Sequence, residues 1–443
     1  MSFDFYTLDE ALELIIDHRG KTPRKMGFED FQSQGVPVLS AKHVKTDKLV
    51  NIAKIRFAGR EMYEKWMKEE VAKGDIVLTS EAPLGEVFYI DTDQKYVAGQ
   101  RVFVLRTKKE ILSPLYLVAW LTSEEGQKKL HRRASGSTVL GIKQSELRKI
   151  EVPVPSLLIQ NKIANFRYDL TKKIEIHNQI NDTLEAMAEA IFKSWFVDFD
   201  PVHAKIKAKA EGLDSDGINR AAMAVIASKS DDEIAKIKTE SLEKYERLKS
   251  LASLFPDQLV ESELGLIPEG WEVLSFSEWI QVTKGKSITK AKVNPGNVPV
   301  VAGGLEPAYY HNESNVKGPA ITISASGANA GYVNLYYQDI WSSDSSYIAH
   351  NETKAFYVAY VCLKYRQKEI FSMQTGAAQP HIYPKDFERL MIVKPSEALL
   401  DSLEAIYQGF FNLISDNKKE SITLAEIRDT LLPKLLSGEI EVA

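Results

Sequence analysis

A chain of 443 residues has room for roughly two to four domains, and 44% hydrophobic with 26% charged residues is the balance of a globular protein that buries real cores. One cysteine, Cys362, excludes an internal disulfide framework and any CxxC zinc or redox motif, which fits a reducing cytoplasm. A formal net charge of -5 offers no global attraction to nucleic acid, so such binding has to come from local basic patches.

The amino-terminal MSFDFYTLDEAL carries early acids and no apolar signal-like core, and no stretch approaches the length of uncharged apolar residues that spans a bilayer. A cytoplasmic location without membrane contact is expected. Residues 1-155 hold short β-branched and aromatic runs (GDIVLT, EVFYI, RVFVLR) broken by turn residues, with a helical stretch from Leu112; they form a first compact α+β domain. Residues 156-200 place apolar side chains, among them Leu170, Ile174, Leu184 and Ile191, mostly at steps of three and four. This is a long helix with one seam, stopped by Pro201. Residues 201-268 are charged, mostly helical and without a counterpart elsewhere, and serve as a connector. Residues 269-395 return to β-branched runs (AITISAS, AGYVNLYY, AFYVAYVCL), and residues 396-437 to a helical seam with Phe410, Ile414, Leu424 and Leu431.

The two halves repeat. RASGSTVLGIKQSELRKIEVPVPS (Arg133 to Ser156) and SMQTGAAQPHIYPKDFERLMIVKPS (Ser372 to Ser396) share one order of parts. Gly136 and Gly376, Ile142 and Ile382, Pro155 and Pro395, and Leu184 and Leu424 all lie 240 residues apart. Upstream, RGKTPRK faces KGKSITK and VPVLSAKHV faces VPVVAGGLE, with the spacing drifted. A helix this long with a polar outer face needs a partner, and its twin is the obvious one. Both seams are interrupted at the same place, by His177 and by Asn417. A polar group there either fixes register or lies on a solvated flank.

Catalytic chemistry is absent from the pattern. Gly20-Lys21-Thr22 and Gly285-Lys286-Ser287 invite a phosphate-loop reading, but Ile15 and Ile280 stand where its leading glycine belongs. There is no HExxH, no GxSxG, no Asn/Asp-Pro-Pro-aromatic loop, and no metal-ligand spacing around His177. No catalytic and no metal-binding residue is assigned. The pattern suits binding: HRGKTPRK and KGKSITKAK each hold four cations and no acid, and they recur in both copies. Residue type and loop position nominate Lys21, Arg24, Lys42, His43, Ser80, Gln100, Arg101, Ser135 and Thr138 in the first domain as DNA contacts. Lys284, Lys286, Ser324, Asn329, Asp344, Gln374, Gln379 and His381 are nominated in the second.

The blocks SGSTVLGIKQSELRKIEVPVPSLLIQNKIA and TGAAQPHIYPKDFERLMIVKPSEALLDSLEAI, with AEAIFKSWFVDFDPVHAK after the first helix and GLIPEGWEV opening the second domain, resemble the specificity subunits of type I restriction-modification enzymes. The resemblance covers essentially the whole chain, strongly over the repeats and weakly within the globular domains. It implies an α+β fold of two target-recognition domains separated by two long helices in an antiparallel coiled coil, with a pseudo-two-fold internal repeat. It also implies that each domain reads one half of a bipartite target in double-stranded DNA. Two methyltransferase subunits and the restriction/translocase subunits then dock as partners and carry the S-adenosylmethionine, ATP and Mg, with no cofactor in this chain. One departure is visible: Gln160 follows the first Pro-Ser block, whereas Leu400 holds the matching position. The rival from another class is a coiled-coil scaffold that binds no DNA. A standalone DNA-modifying enzyme is disfavoured by the missing motifs.

Overall fold

Each half of the chain builds the same three principal sheets, of four, three and two strands. The computed structural model describes residues 3 to 376 and 379 to 441, so Ala377 and Ala378 of the QTGAAQPH loop lie outside the described residues. Two compact units result, Met1–His177 with Lys419–Ala443, and Asn178–Lys418.

In the first unit, Leu12–Asp17, Val102–Thr107, Ile76–Ser80 and Leu84–Tyr89 lie side by side in that order as an antiparallel sheet. Its central strands are buried on both faces, which explains why they read as continuous apolar runs rather than alternating ones. Val36–Leu39 pairs antiparallel with Phe57–Ala58 and parallel with Val97–Ala98. Asp4–Thr7 pairs with Glu151–Val154, and the helix Pro114–Leu121 is buried almost all round against the sheet.

The second unit repeats each piece. Thr283–Lys284, Ser345–Ala349, Ala320–Ser324 and Val333–Tyr336 form the four-stranded sheet. Val298–Val301 takes an antiparallel and a parallel neighbour, and Glu272–Ser275 pairs with Met391–Lys394. The buried helix is Phe356–Tyr365, so AFYVAYVCL, expected from its β-branched and aromatic residues to be a strand, is helical; a short run that is apolar on every side suits a fully buried helix as well as a buried strand. Both entry strands end in the same capping box, Thr7 with Glu10 and Ser275 with Glu278, where each side chain satisfies the other's backbone N–H. Between the halves, the helices Asp200–Ala210, Ser215–Ala227, Asp231–Glu240 and Leu242–Ser253 close a small core on Met223, Ile234 and Tyr245. Pro201 sits in the first turn of the helix Asp200–Ala210, where a missing N–H costs nothing. The preceding long helix has already ended at Phe196, with Phe199 in the left-handed region at φ +52°.

The long helices run Leu157–Phe196 and Glu397–Ser437 and pair antiparallel. In the first unit Ile163 and Ala164 share a core with Leu432, Leu435 and Leu436, and Lys173 is ion-paired with Glu420. In the second, the Tyr407 hydroxyl donates to the Ala188 carbonyl at 2.8 Å. Of the seam residues, Ile414 is fully buried, while Leu170, Ile174, Leu184, Ile191, Phe410, Leu424 and Leu431 are half-buried. Leu399, Leu403, Tyr407 and Phe411 are buried as deeply as Ile414. Each helix packs on a domain as well as on its twin, so its buried stripe is broader than a two-position seam. His177 and Asn417 are not on a solvated flank. Both are buried; His177 Nδ1 meets Ser421 Oγ at 3.1 Å, and Asn417 Nδ2 donates to Asn181 Oδ1 at 2.9 Å.

The difference between Gln160 and Leu400 has a structural consequence. Fully buried Gln160 accepts from the Ser113 N–H at 2.8 Å and donates to the carbonyls of Ile111 and Pro155, fixing the start of the helix Pro114–Leu121. Leu400 is core, and Glu404, one turn along, takes over the capping. Its two oxygens accept from Tyr357 N and Val358 N, both at 3.0 Å, at the start of the helix Phe356–Tyr365. Burial raises the Glu404 pKa above the ordinary carboxyl value, against the lowering effect of those N–H groups.

Asn417→Ala should lose about 1–3 kcal/mol of stability by stranding the Asn181 amide, whereas leucine at both 181 and 417 should be neutral or stabilising; thermal melting distinguishes them. Glu404 binds its proton more tightly folded than unfolded, so its ionisation subtracts stability as pH rises from the ordinary carboxyl value through the raised one. Relative to Glu404→Gln, the natural chain should therefore lose Tm as pH rises from the ordinary carboxyl value through the raised one, and a difference that stays constant with pH would contradict the assignment.

Candidate nucleic-acid interface

The first basic run folds into a turn that is largely consumed in building itself. Arg19 forks onto Asp17, donates to the Ile142 carbonyl at 3.0 Å and lies over the Phe103 ring at 4.1 Å. Lys21 Nζ donates to the Trp66 carbonyl at 3.1 Å, and burial, with Lys68 nearby, lowers its pKa. Lys25 Nζ donates to the Gly20 carbonyl at 2.9 Å. His18, which opens the run, stays neutral near pH 7 because burial and then Lys21 push its pKa down to about 4. Arg24 remains exposed, with no protein partner among the described residues.

This turn walls a cleft of about 790 Å³ in the first unit. Six of the nominated residues, Lys21, Arg24, Lys42, His43, Gln100 and Arg101, line it together. Sequence reasoning missed Arg56, which lies over the Phe31 ring at 4.5 Å, and Trp66 and Phe31 themselves, which fold across from the basic turn. Their chain separation left no local signal. Gln100 positions the turn, since its amide donates to the Lys21 carbonyl at 2.6 Å and its oxygen faces the Gly20 N–H at 3.4 Å. His43 is buried, and its Nδ1 faces the Ser40 N–H at 3.2 Å, so Nδ1 accepts and Nε2 carries the proton of the neutral ring. Burial, Lys42 and Arg56 all lower its pKa.

Ser135 and Thr138 are exposed in a turn that Ser135 and Gly141 close by exchanging backbone hydrogen bonds of 2.8 and 3.0 Å. Ser80 and Ser324 are buried at the ends of equivalent sheet strands. Their hydroxyls lie behind the surface, because the last residue of each strand still faces the core, and they do not present themselves to a ligand as placed.

In the second unit, Lys284 and Lys286 are exposed without protein partners among the described residues. Their turn is pressed onto the loop carrying Asp344: Gly285 N donates to the Ser345 carbonyl at 2.8 Å and Lys286 N to the Ser342 carbonyl at 2.9 Å. A Cβ at Gly285 would sit 2.5 Å from Ser342 Oγ and 2.6 Å from the Ser345 carbonyl oxygen, so only glycine allows this approach. The nominated loops meet here. Ser326 donates to Asp344, Gln374 Nε2 donates to the Ala330 carbonyl at 2.6 Å, and Asn329 Nδ2 lies 3.5 Å from the Gly303 carbonyl. His381 bridges to Ser326 and stacks on Tyr383 with ring centroids 5.8 Å apart, while Gln379 stays exposed. Gln374 and Asn329, nominated as DNA contacts, thus hold loops together with their amides.

Among the described residues, no His, Cys, Asp and Glu cluster is placed to hold a metal ion, and no helix is long and apolar enough to cross a membrane. What both units offer is a basic turn packed against a loop with an exposed charged side chain.

Comparison with known proteins agrees with this architecture. The type I restriction modification DNA specificity domain matches residues 2–186 and 268–425, one match in each half. The specificity subunit of the type I restriction enzyme HindI from Haemophilus influenzae is 28% identical over 84% of this chain and 88% of that protein. The MjaIX specificity subunit from Methanocaldococcus jannaschii is 23% identical over 96% and 90%. In fold, the crystal structure of a type I restriction-modification S subunit from M. genitalium superposes with a TM-score of 0.58 at 17% identity, covering 98% of this chain and 96% of that one. The chain therefore belongs to the type I restriction-modification DNA specificity family, as a recognition subunit of such a complex rather than an enzyme.

Proposed function

We propose that each unit reads one half of a bipartite target in double-stranded DNA. In this reading the repeated frame docks two methyltransferase subunits, restriction/translocase subunits join them, and the complex works in the cytoplasm. S-adenosylmethionine, ATP and Mg belong to those partners. The observation that carries the reading is that exposed cations without protein partners among the described residues, Arg24 in one unit and Lys284 and Lys286 in the other, stand on equivalent basic turns. Phosphate contacts of this kind position a protein on a duplex, and base-edge contacts from neighbouring loops specify sequence. An internal repeat supports the partner stoichiometry, since one chain then offers two similar surfaces to two copies of the same protein.

Co-expression with the methyltransferase subunit of the same source, followed by mapping of methylated adenines at single-base resolution, tests the reading directly. A split motif with a fixed gap is expected; failure to copurify together with no methylation would favour the scaffold. Lys284→Ala with Lys286→Ala should weaken binding to all sequences alike and flatten the slope of log K against log salt by roughly one to two. A slope unchanged from the natural chain would remove this turn from the interface.

A further inference from the structure

The two units can be superimposed in register by their own hydrogen bonds, and the register exposes a reversal of charge. Ser80 N donates to the Arg101 carbonyl at 2.9 Å, as Ala325 N does to the Asp344 carbonyl at 3.2 Å. Ile142 N donates to the Ser80 carbonyl at 2.9 Å, as Ile382 N does to the Ala325 carbonyl at 3.0 Å. The bridge between Glu81 and Gly141 matches that between Ser326 and His381. Arg101 is therefore the counterpart of Asp344, and Glu81 of Ser326. Their spacing in sequence, 243 residues against the 240 of the downstream block, hides the match.

Each side chain is held from one side by its neighbour and left open on the other. Glu81 Oε1 lies 3.1 Å from Arg101 Nε, and the Arg101 side chain is still 55% exposed. Ser326 donates to Asp344 Oδ2, and Asp344 is exposed. Arg101 also holds a left-handed backbone at φ +63°, a conformation uncommon for a residue with a side chain and typical of functional sites. In both units the basic turn rests on this same loop, through Gln100 and Lys21 in the first and through Gly285 and Lys286 in the second.

We infer that residues 101 and 344 are one reading position used twice with opposite hydrogen-bond polarity. The guanidinium of Arg101 selects a base edge that accepts, guanine N7 and O6, while the carboxylate of Asp344 selects one that donates, the amino group of cytosine. This rests on the DNA-reading function proposed above. It names the residue in each half-site that rejects the wrong base and the kind of base it takes.

The test uses the full chain co-expressed with its methyltransferase partner, with methylated adenines mapped genome-wide for Arg101→Gln and Asp344→Asn. Gln and Asn both suit adenine, so each variant should lose preference for guanine or cytosine at one base pair of its own half-site by roughly tenfold, gaining adenine there. The other half-site should stay as it was. The inference is overturned if a variant alters the opposite half-site, if it leaves the motif unchanged, or if it abolishes methylation while still melting and copurifying like the natural chain. Should Arg101→Gln fail to fold, Arg101→Lys keeps the charge without the fork and must relax the same base pair, and Asp344→Asn stands independently. A natural complex that methylates no split motif would instead sink the DNA-reading function itself, which separates the two failures.

Discussion

Neither unit closes its core with its own half of the sequence. Leu432, Leu435 and Leu436, from the end of the second long helix, complete the core around Trp120 and Ile163 in the first unit. Ala188, Phe192, Trp195 and Phe196, from the end of the first helix, complete the core around Phe356 and Leu403 in the second. Antiparallel pairing of the two helices is thus the contact on which each domain depends, since apolar burial is the main favourable contribution to folding and here each domain borrows part of it. The aromatic cluster of Trp195, Phe255, Phe196 and Trp271, with centroids 5.3 to 6.5 Å apart, extends that dependence to the connector.

Two polar pairs within this pairing are hydrogen-bonded across the helices. Asn181 with Asn417 and His177 with Ser421 sit where apolar side chains would give more stability, and their hydrogen bonds need one particular register of helix against helix. Buried Arg167, forked onto Asp47 at 2.8 and 2.7 Å, ties the first helix to a loop of its domain in the same way. Register within each unit is consequently specified by groups that tolerate little sliding.

Much of this was legible in the sequence. The 240-residue repeat, the two long helices, the connector and the β-rich domains follow from periodicity and turn residues, because those signals are local. Gln160 against Leu400 was visible as a difference, but Glu404 as its replacement was not, since a cap one helical turn away looks like any surface acid. At the interface the basic runs were legible as charge, yet most of the first run is spent internally on Asp17, Trp66 and Gly20. The equivalence of Arg101 and Asp344 was hidden by insertions, because only backbone hydrogen bonds restore the register. The amides of Gln100, Gln374 and Asn329, nominated as DNA contacts, lie against carbonyls of neighbouring loops, contacts between distant segments that no local pattern announces.

Gly285 limits how the second domain can diverge. At residue 285 itself there is no room for a single added carbon between the basic turn and the Ser342–Ser345 loop. Mutational drift can therefore rewrite the side chains that face a ligand while the height of the basic turn above them stays constant, fixed by one position where every substitution except reversion is penalised.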